Sequence, residues 1–290
     1  MYKLINIDLD GTLLNSYGEV STENKKAIKE AIEKGVEVVI ASGRVYTSIE
    51  NIANEIGANN YIISGNGSML YDVKNREILY ENYMNKQKVL DLVKICEENS
   101  IYYNIYTENS VIAKSLNYNV LFYHHENKNK KEEKRTNINI VEDIYKYIQE
   151  SKTNKFLKIT ICDNNQIVFG SIIRKLRKIK DIDVLDVAHM SKKTIKSGTE
   201  DVKVEYFYTE ITNKKVDKWT AIEILMEKNN IKREEVISIG DNVNDQNMII
   251  NSGIGVAMGN SAPYIKEIAD FVTEDNNSDG VAKAIRQYIP

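Results

Sequence analysis

The sequence predicts an α/β protein: a parallel sheet covered by helices, interrupted by an inserted α/β segment. Three observations lead there. Short apolar runs alternate with helix-spaced apolar patterns over residues 1–83. The same alternation returns over 201–290. Between them, 84–200 is rich in Tyr, Lys and Asn, with strand-like and helix-like runs of its own. Strand–helix–strand order implies parallel pairing through right-handed crossovers. The two flanking segments are therefore expected to form one discontinuous domain and the middle a second.

The apolar run at residues 4–7 reads as the first strand. Ser21 is placed to cap a helix whose Ala27, Ile28, Ala31 and Ile32 share a face, with Gly35 closing it. Residues 36–41 are nearly all apolar, as in a strand covered on both faces. Ile49, Ile52, Ala53 and Ile56 then repeat at helical spacing ahead of Gly57. A strand follows at 61–63, and 69–71 with 78–80 reads as a hairpin. Within the insert, strands are expected over 101–106, 110–114, 156–161 and 182–188, and helices around 89–96, 141–149 and 172–176. The mixed-sign run 128–135 reads as a solvated face. In the last third, strands at 204–208, 236–239, 254–257 and 271–272 alternate with helices at 217–227 and 264–268.

Composition excludes several classes. A length of 290 residues suits one large or two modest domains. A net charge of −3 gives no basic footprint for nucleic acid. Cys96 and Cys162 are too few for a disulfide framework, and reduced thiols in a cytoplasmic protein are expected. Asp8 and Asp10 interrupt the first apolar run, so no secretory leader is expected. The longest uncharged stretch, 246–265, is broken by Asn, Gly, Ser and Pro263, so it is no membrane span. No G-x-x-x-x-G-K-[ST] loop is present, which excludes a P-loop enzyme. Nothing in the sequence reads out an oligomeric state.

The chemistry concentrates at strand ends. Asp8-Leu9-Asp10-Gly11-Thr12 follows the first strand, at the edge where open parallel sheets bind ligands. Two carboxylates two residues apart suit a hard cation such as Mg2+, though a surface turn uses the same residue types. Ser42-Gly43-Arg44 follows the next long strand, where Ser42 is also a natural helix cap. Lys218 opens a helix, where a lysine is ordinarily solvated. Gly240-Asp241-Asn242-Val243-Asn244-Asp245 ends the strand at 236–239, where an Asn/Asp turn is the plainer explanation.

Taken together and in this order, the four segments resemble the signatures of the haloacid dehalogenase-like phosphohydrolases. Asn66-Gly67, Val256-Ala257-Met258-Gly259-Asn260, Ala269-Asp270 and Asp279-Gly280-Val281 are similar to Cof-type (IIB) members. The resemblance implies a Rossmann-like core with an inserted α/β (type-two) cap that closes over the site and selects the leaving group. It implies that Asp8 is the nucleophile and Asp10 the general acid/base, with a pKa raised relative to Asp8. Asp8, Asp241 and the Asp10 carbonyl would hold Mg2+, with Asp245 and Thr12 supporting them from behind. The Leu9 and Gly43 amides, Ser42, Lys218 and Asn244 would bind the phosphoryl group. One departure is Trp219, where the family usually carries Gly; its ring is expected to shift the helix start or to line the substrate mouth.

The remaining candidates are plainer. His124 and His125 lack partners at metal spacing, and His189 has no fixed role. Tyr102, Tyr103 and Tyr106 are expected to pack the insert. The expectation is a Mg2+-dependent phosphatase of small phosphorylated metabolites. The alternatives are a phosphomutase or phosphotransferase, a receiver-like phosphoprotein, and a regulatory protein with vestigial activity.

Overall fold

The computed structural model describes residues 2–128, 130–185, 191–197 and 200–289. The chain divides into two compact units, Met1–Glu81 with Asp217–Pro290, and Asn82–Val216.

The first unit begins with β1 (Leu4–Ile7), all four residues buried. Helix α1 (Thr22–Glu33) follows, with Ser21 accepting from the Asn24 amide as its cap. Strand β2 (Glu37–Ala41), helix α2 (Tyr46–Ile56) and strand β3 (Tyr61–Ser64) complete the alternation. Helix α2 buries Ile49, Ile52, Ala53 and Ile56 and ends on Gly57 in the left-handed region. Strands β4 (Met69–Asp72) and β5 (Glu77–Glu81) form the antiparallel hairpin.

The second unit runs α3 (Lys86–Glu98), β6 (Tyr102–Thr107), β7 (Ser110–Ala113), α4 (Tyr118–Lys128), β8 (Asn137–Ile140) and α5 (Ile144–Glu150). It continues through β9 (Phe156–Asp163), α6 (Gln166–Leu176), β10 (Ile182–Val184), β11 (Ser191–Ser197) and β12 (Glu200–Asn213). Its sheet has the order β10-β12-β9-β6-β7-β8, with β11 paired to β12. Tyr103, Ile105, Ile159, Ile161 and Ile211 pack against Val89, Val93, Ile144, Ile148, Phe169 and Ile172 of the three helices α3, α5 and α6. Tyr106 is buried as well, and its ring meets Tyr123 of α4 edge to face.

The strand expected at 204–208 lies inside β12 and pairs antiparallel with β9, Phe207 opposite Asp163. It is no strand of the first sheet, and the chain re-enters the first unit at Asp217 rather than at 201. The physical sign is in the residues. The run Val-Lys-Val-Glu-Tyr-Phe-Tyr-Thr-Glu largely alternates polar and apolar, the pattern of a half-covered antiparallel strand. Expected residues 186–188 and His189 lie outside the described residues. Helix α4 went unanticipated because it carries no clear apolar stripe, burying only Val120 and Tyr123, and β8 because it is only four residues long with none of them buried.

The chain returns with α7 (Lys218–Asn229), β13 (Val236–Gly240), α8 (Gln246–Asn251), β14 (Ile254–Ala257), α9 (Pro263–Ile268), β15 (Phe271–Val272) and α10 (Gly280–Tyr288). The first sheet has the order β15-β14-β13-β1-β2-β3-β4-β5. From β1 the chain winds one way through β2 and β3, then resumes on the other side at β13. All these pairs are parallel, with Ile7 opposite both Ile40 and Ile239. Such a reversal opens a crevice at the carboxyl ends of the central strands. Among the described residues, no helix is long and apolar enough to cross a membrane.

Candidate active site

The register brings the signatures to one edge. Asp8 follows β1 directly, and its amide donates to the Ile239 carbonyl at 3.0 Å, continuing the ladder with β13. Two residues beyond Ile239 stands Asp241; two residues beyond Ile40, Ser42. Leu9 turns its side chain into the core and leaves only its backbone to the site. Gly11 sits at φ +86°, and a Cβ there would collide with the Asp241 carboxylate. Only glycine allows that approach. Thr12 is buried and donates from Oγ1 to Asp241 Oδ1 at 3.0 Å. Asn260, from the Cof-like tail, donates to the Gly11 carbonyl at 2.8 Å and pins the same loop.

Lys218 is the first residue of α7, whose cap, Asp217, accepts from the Trp219 amide at 2.7 Å. The lysine side chain is fully buried; Nζ lies 2.5 Å from Asp8 Oδ1 and 2.6 Å from Asp245 Oδ1. Asp245 Oδ2 accepts the backbone amides of Asp241 and Asn242, each at 3.0 Å. Both oxygens of Asp245 are thus engaged by donors, which makes it a support for the loop and the lysine. Trp219 neither displaces Lys218 nor lines a mouth. It is 8% exposed and packs with Leu4, Val39, Ala41, Ile63 and Leu70. Neighbouring helical residues point about 100° apart, so the lysine faces the site while the indole faces the core.

Ser42 is buried, and its hydroxyl accepts from the Arg44 amide at 3.3 Å. It is not a helix cap: α2 starts at Tyr46 and is preceded by Val45, which has no capping side-chain bond. Gly43 sits beside it in the same loop, partly exposed. Asn244 donates from Nδ2 to Asn66 Oδ1 at 3.2 Å. Asn66 is held at φ 60° in the turn after β3, and its amide donates to the Ser42 carbonyl. Asp10 is gripped by Arg44, whose Nε and Nη2 each lie 2.8 Å from a carboxylate oxygen. The sequence signatures assign no role to Arg44, and to Asn66 only a subgroup resemblance. The signal was present for Arg44: an arginine flanked by buried strand and helix positions requires a partner. His124 and His125 lie on α4, in the second unit.

Charge is unevenly balanced. Desolvation pushes the Asp8 carboxyl up to about 7; Asp245 adds to the rise and Lys218 opposes it. Asp241 is raised well above the carboxylate range by desolvation, then by the charges of Asp8 and Asp245. Burial by itself would discharge Lys218, but Asp245 and Asp8 outweigh it and hold its pKa above the lysine range. The lysine is a permanent cation among acids whose mutual repulsion one ammonium does not cancel.

The donor set fits a hard divalent cation. Oxygens of Asp8, Asp241 and Asp245 lie within 4.8 Å of one another. Carboxylate oxygens alone suit Mg2+ over softer metals.

The family description "haloacid dehalogenase-like hydrolase" matches residues 5–285. The chain is 30% identical over 297 residues to Phosphatase YwpJ of Bacillus subtilis (strain 168), covering 99% of this chain and 100% of that protein. It is 30% identical over 287 residues to 5-amino-6-(5-phospho-D-ribitylamino)uracil phosphatase YcsE of the same organism, with coverages of 99% and 96%. The solved structure of a haloacid dehalogenase-like hydrolase from B. subtilis aligns at TM-score 0.81 and 25% identity, over 99% of this chain and 100% of that one. With a core matched from end to end and relatives aligned along their whole length, the chain belongs to the haloacid dehalogenase-like hydrolases, among the phosphatases of that family.

Proposed function

We propose that the protein is a Mg2+-dependent phosphomonoester hydrolase that works through an aspartyl-phosphate on Asp8. The observation that carries this reading is the buried Lys218 bridging Asp8 and Asp245 beside Asp241. Lys218 fixes one oxygen of Asp8, and the other attacks phosphorus. As the bond from phosphorus to the leaving oxygen breaks, Asp10 gives that oxygen a proton. Water then attacks the aspartyl-phosphate, Asp10 takes the proton back, and phosphate leaves. Ser42, the Leu9 and Gly43 amides, Asn244 and Lys218 hold the phosphoryl oxygens. Asp8, Asp241 and the Asp10 carbonyl would hold Mg2+, which when bound neutralises phosphate charge and fixes the in-line approach.

The substrate class is small phosphorylated metabolites, sugar phosphates or phosphorylated cofactors. The name of YcsE supports it: that relative acts on a phosphorylated ribityl chain carried by a small ring. We assign discrimination among leaving groups to the unit Asn82–Val216, and cytoplasmic residence from the two buried free thiols. A phosphate-release screen across such esters, with Mg2+ and with a chelator, tests the reading. Wild type should release phosphate only with Mg2+. Asp8→Asn should release none while keeping the native circular dichroism; turnover near wild type in that variant would exclude Asp8 as nucleophile.

A further inference from the structure

Arg44 has no part in the reaction as written above, yet it is one of the most constrained side chains of the site. Its guanidinium meets Asp10 side-on, Nε to Oδ2 and Nη2 to Oδ1, both at 2.8 Å. Nη1 donates to the buried Ser48 hydroxyl on α2 at 3.2 Å. Its amide donates to Ser42 Oγ, and its carbonyl accepts the Gly65 amide at 3.1 Å. The arginine side chain is only 9% exposed, whereas that of Asp10 is 43% exposed.

That asymmetry is informative. A buried guanidinium is fixed and needs a counter-charge. A half-exposed aspartate is not fixed by packing alone. Two parallel bonds define the plane of the carboxylate as well as its distance, which a single ammonium cannot do. We propose that Arg44 is the positioning residue for Asp10, holding its carboxylate in the orientation from which the proton passes to the leaving oxygen. The proposal rests on the phosphatase reading of the site. A carboxylate offers about four acceptor positions, so a fork on two of them does not bar a proton from a third. The fork is also complementary to the anion that remains once the proton has gone. The same short loop thus carries Ser42 for the phosphate and Arg44 for the acid.

The test exploits leaving-group chemistry. An alkyl oxygen must be protonated as it departs, whereas p-nitrophenolate leaves without help. kcat is measured with Mg2+ for wild type, Arg44→Gln, Arg44→Lys, Asp10→Asn and the Asp10→Asn/Arg44→Gln double variant. The substrates are p-nitrophenyl phosphate and the primary alkyl phosphate turned over fastest in the screen. Arg44→Gln should lose about 10²-fold on the alkyl ester, within the range of general-acid catalysis, and at least about tenfold less on the aryl ester. In the Asp10→Asn background the same change should cost less than about twofold. Arg44→Lys keeps the buried charge without the fork, and should show the same selective loss if the Gln variant does not fold. Equal losses on both esters, a rise in KM with kcat unchanged, or additivity with Asp10→Asn would overturn the proposal. No phosphate release by wild type from either ester would overturn the phosphatase reading, and this proposal with it.

Discussion

Lys218 touches two carboxylates and balances neither fully. Desolvation and repulsion leave Asp8 near 7 and Asp241 well above the ordinary range, so the metal-free site is short of positive charge. Asp241→Asn removes one excess charge and keeps an acceptor for Thr12. The metal-free variant should melt about 2–4 °C above wild type, the shift expected of ~1 kcal/mol in a chain of this size. Mg2+ should raise the melting temperature of wild type and not of the variant; calorimetry with and without the ion checks both signs. Gly67 is a second sensitive point. It sits at φ +98°, and a Cβ there would collide with the Asp217 carbonyl, next to the Lys218 amide. Gly67→Ala should destabilise by about 1–3 kcal/mol in urea melts and lower kcat at least about tenfold, because the start of α7 aims the lysine. That Asp8, Lys218 and Asp241 come together was legible from the resemblance of their segments, taken in order, to one family. The partnership of Arg44 with Asp10, and of Asn66 with Asn244, was not, since partners far apart in sequence meet only in the fold.

At the scale of elements, the α7 start shows how one helix end serves two faces. Asp217 caps the helix, Lys218 takes the site face and Trp219 takes the core face. The indole is thus a core residue on the helix face turned away from the lysine's partners. Trp219→Ala should cost about 3–5 kcal/mol by leaving a cavity, read from urea denaturation, while the folded fraction keeps its dependence on Mg2+. The elements of the first sheet were readable because doubly covered strands are nearly continuous apolar runs. Strand β1 is buried at all four positions and β13 at all five. Strand β12 misled because strand content alone does not reveal which sheet a strand joins; its pairing with β9 does.

For the molecule as a whole, the second unit is an insertion with its own core. Its two ends are tied together: Asn82 Nδ2 donates to the Lys214 carbonyl at 3.0 Å, and Asn213 Nδ2 donates to Asn82 Oδ1 at 2.6 Å. A fragment spanning 82–216 should therefore fold alone, with cooperative thermal unfolding and dispersed amide resonances; a fragment that stays disordered would show that its core depends on the rest of the chain. The boundary at Asp217 was hard to read in advance because β12 feeds straight into the segment before α7. The same interruption shapes how the protein is born. On the ribosome, β1 and β2 emerge early, but β13, the neighbour that covers the other edge of β1, appears only after the insertion has been translated. At ~5–20 residues per second, the nascent chain holds that strand edge unpaired for roughly 10–50 seconds, the interval in which a bound chaperone or a rapidly folding insertion would protect it from neighbouring chains.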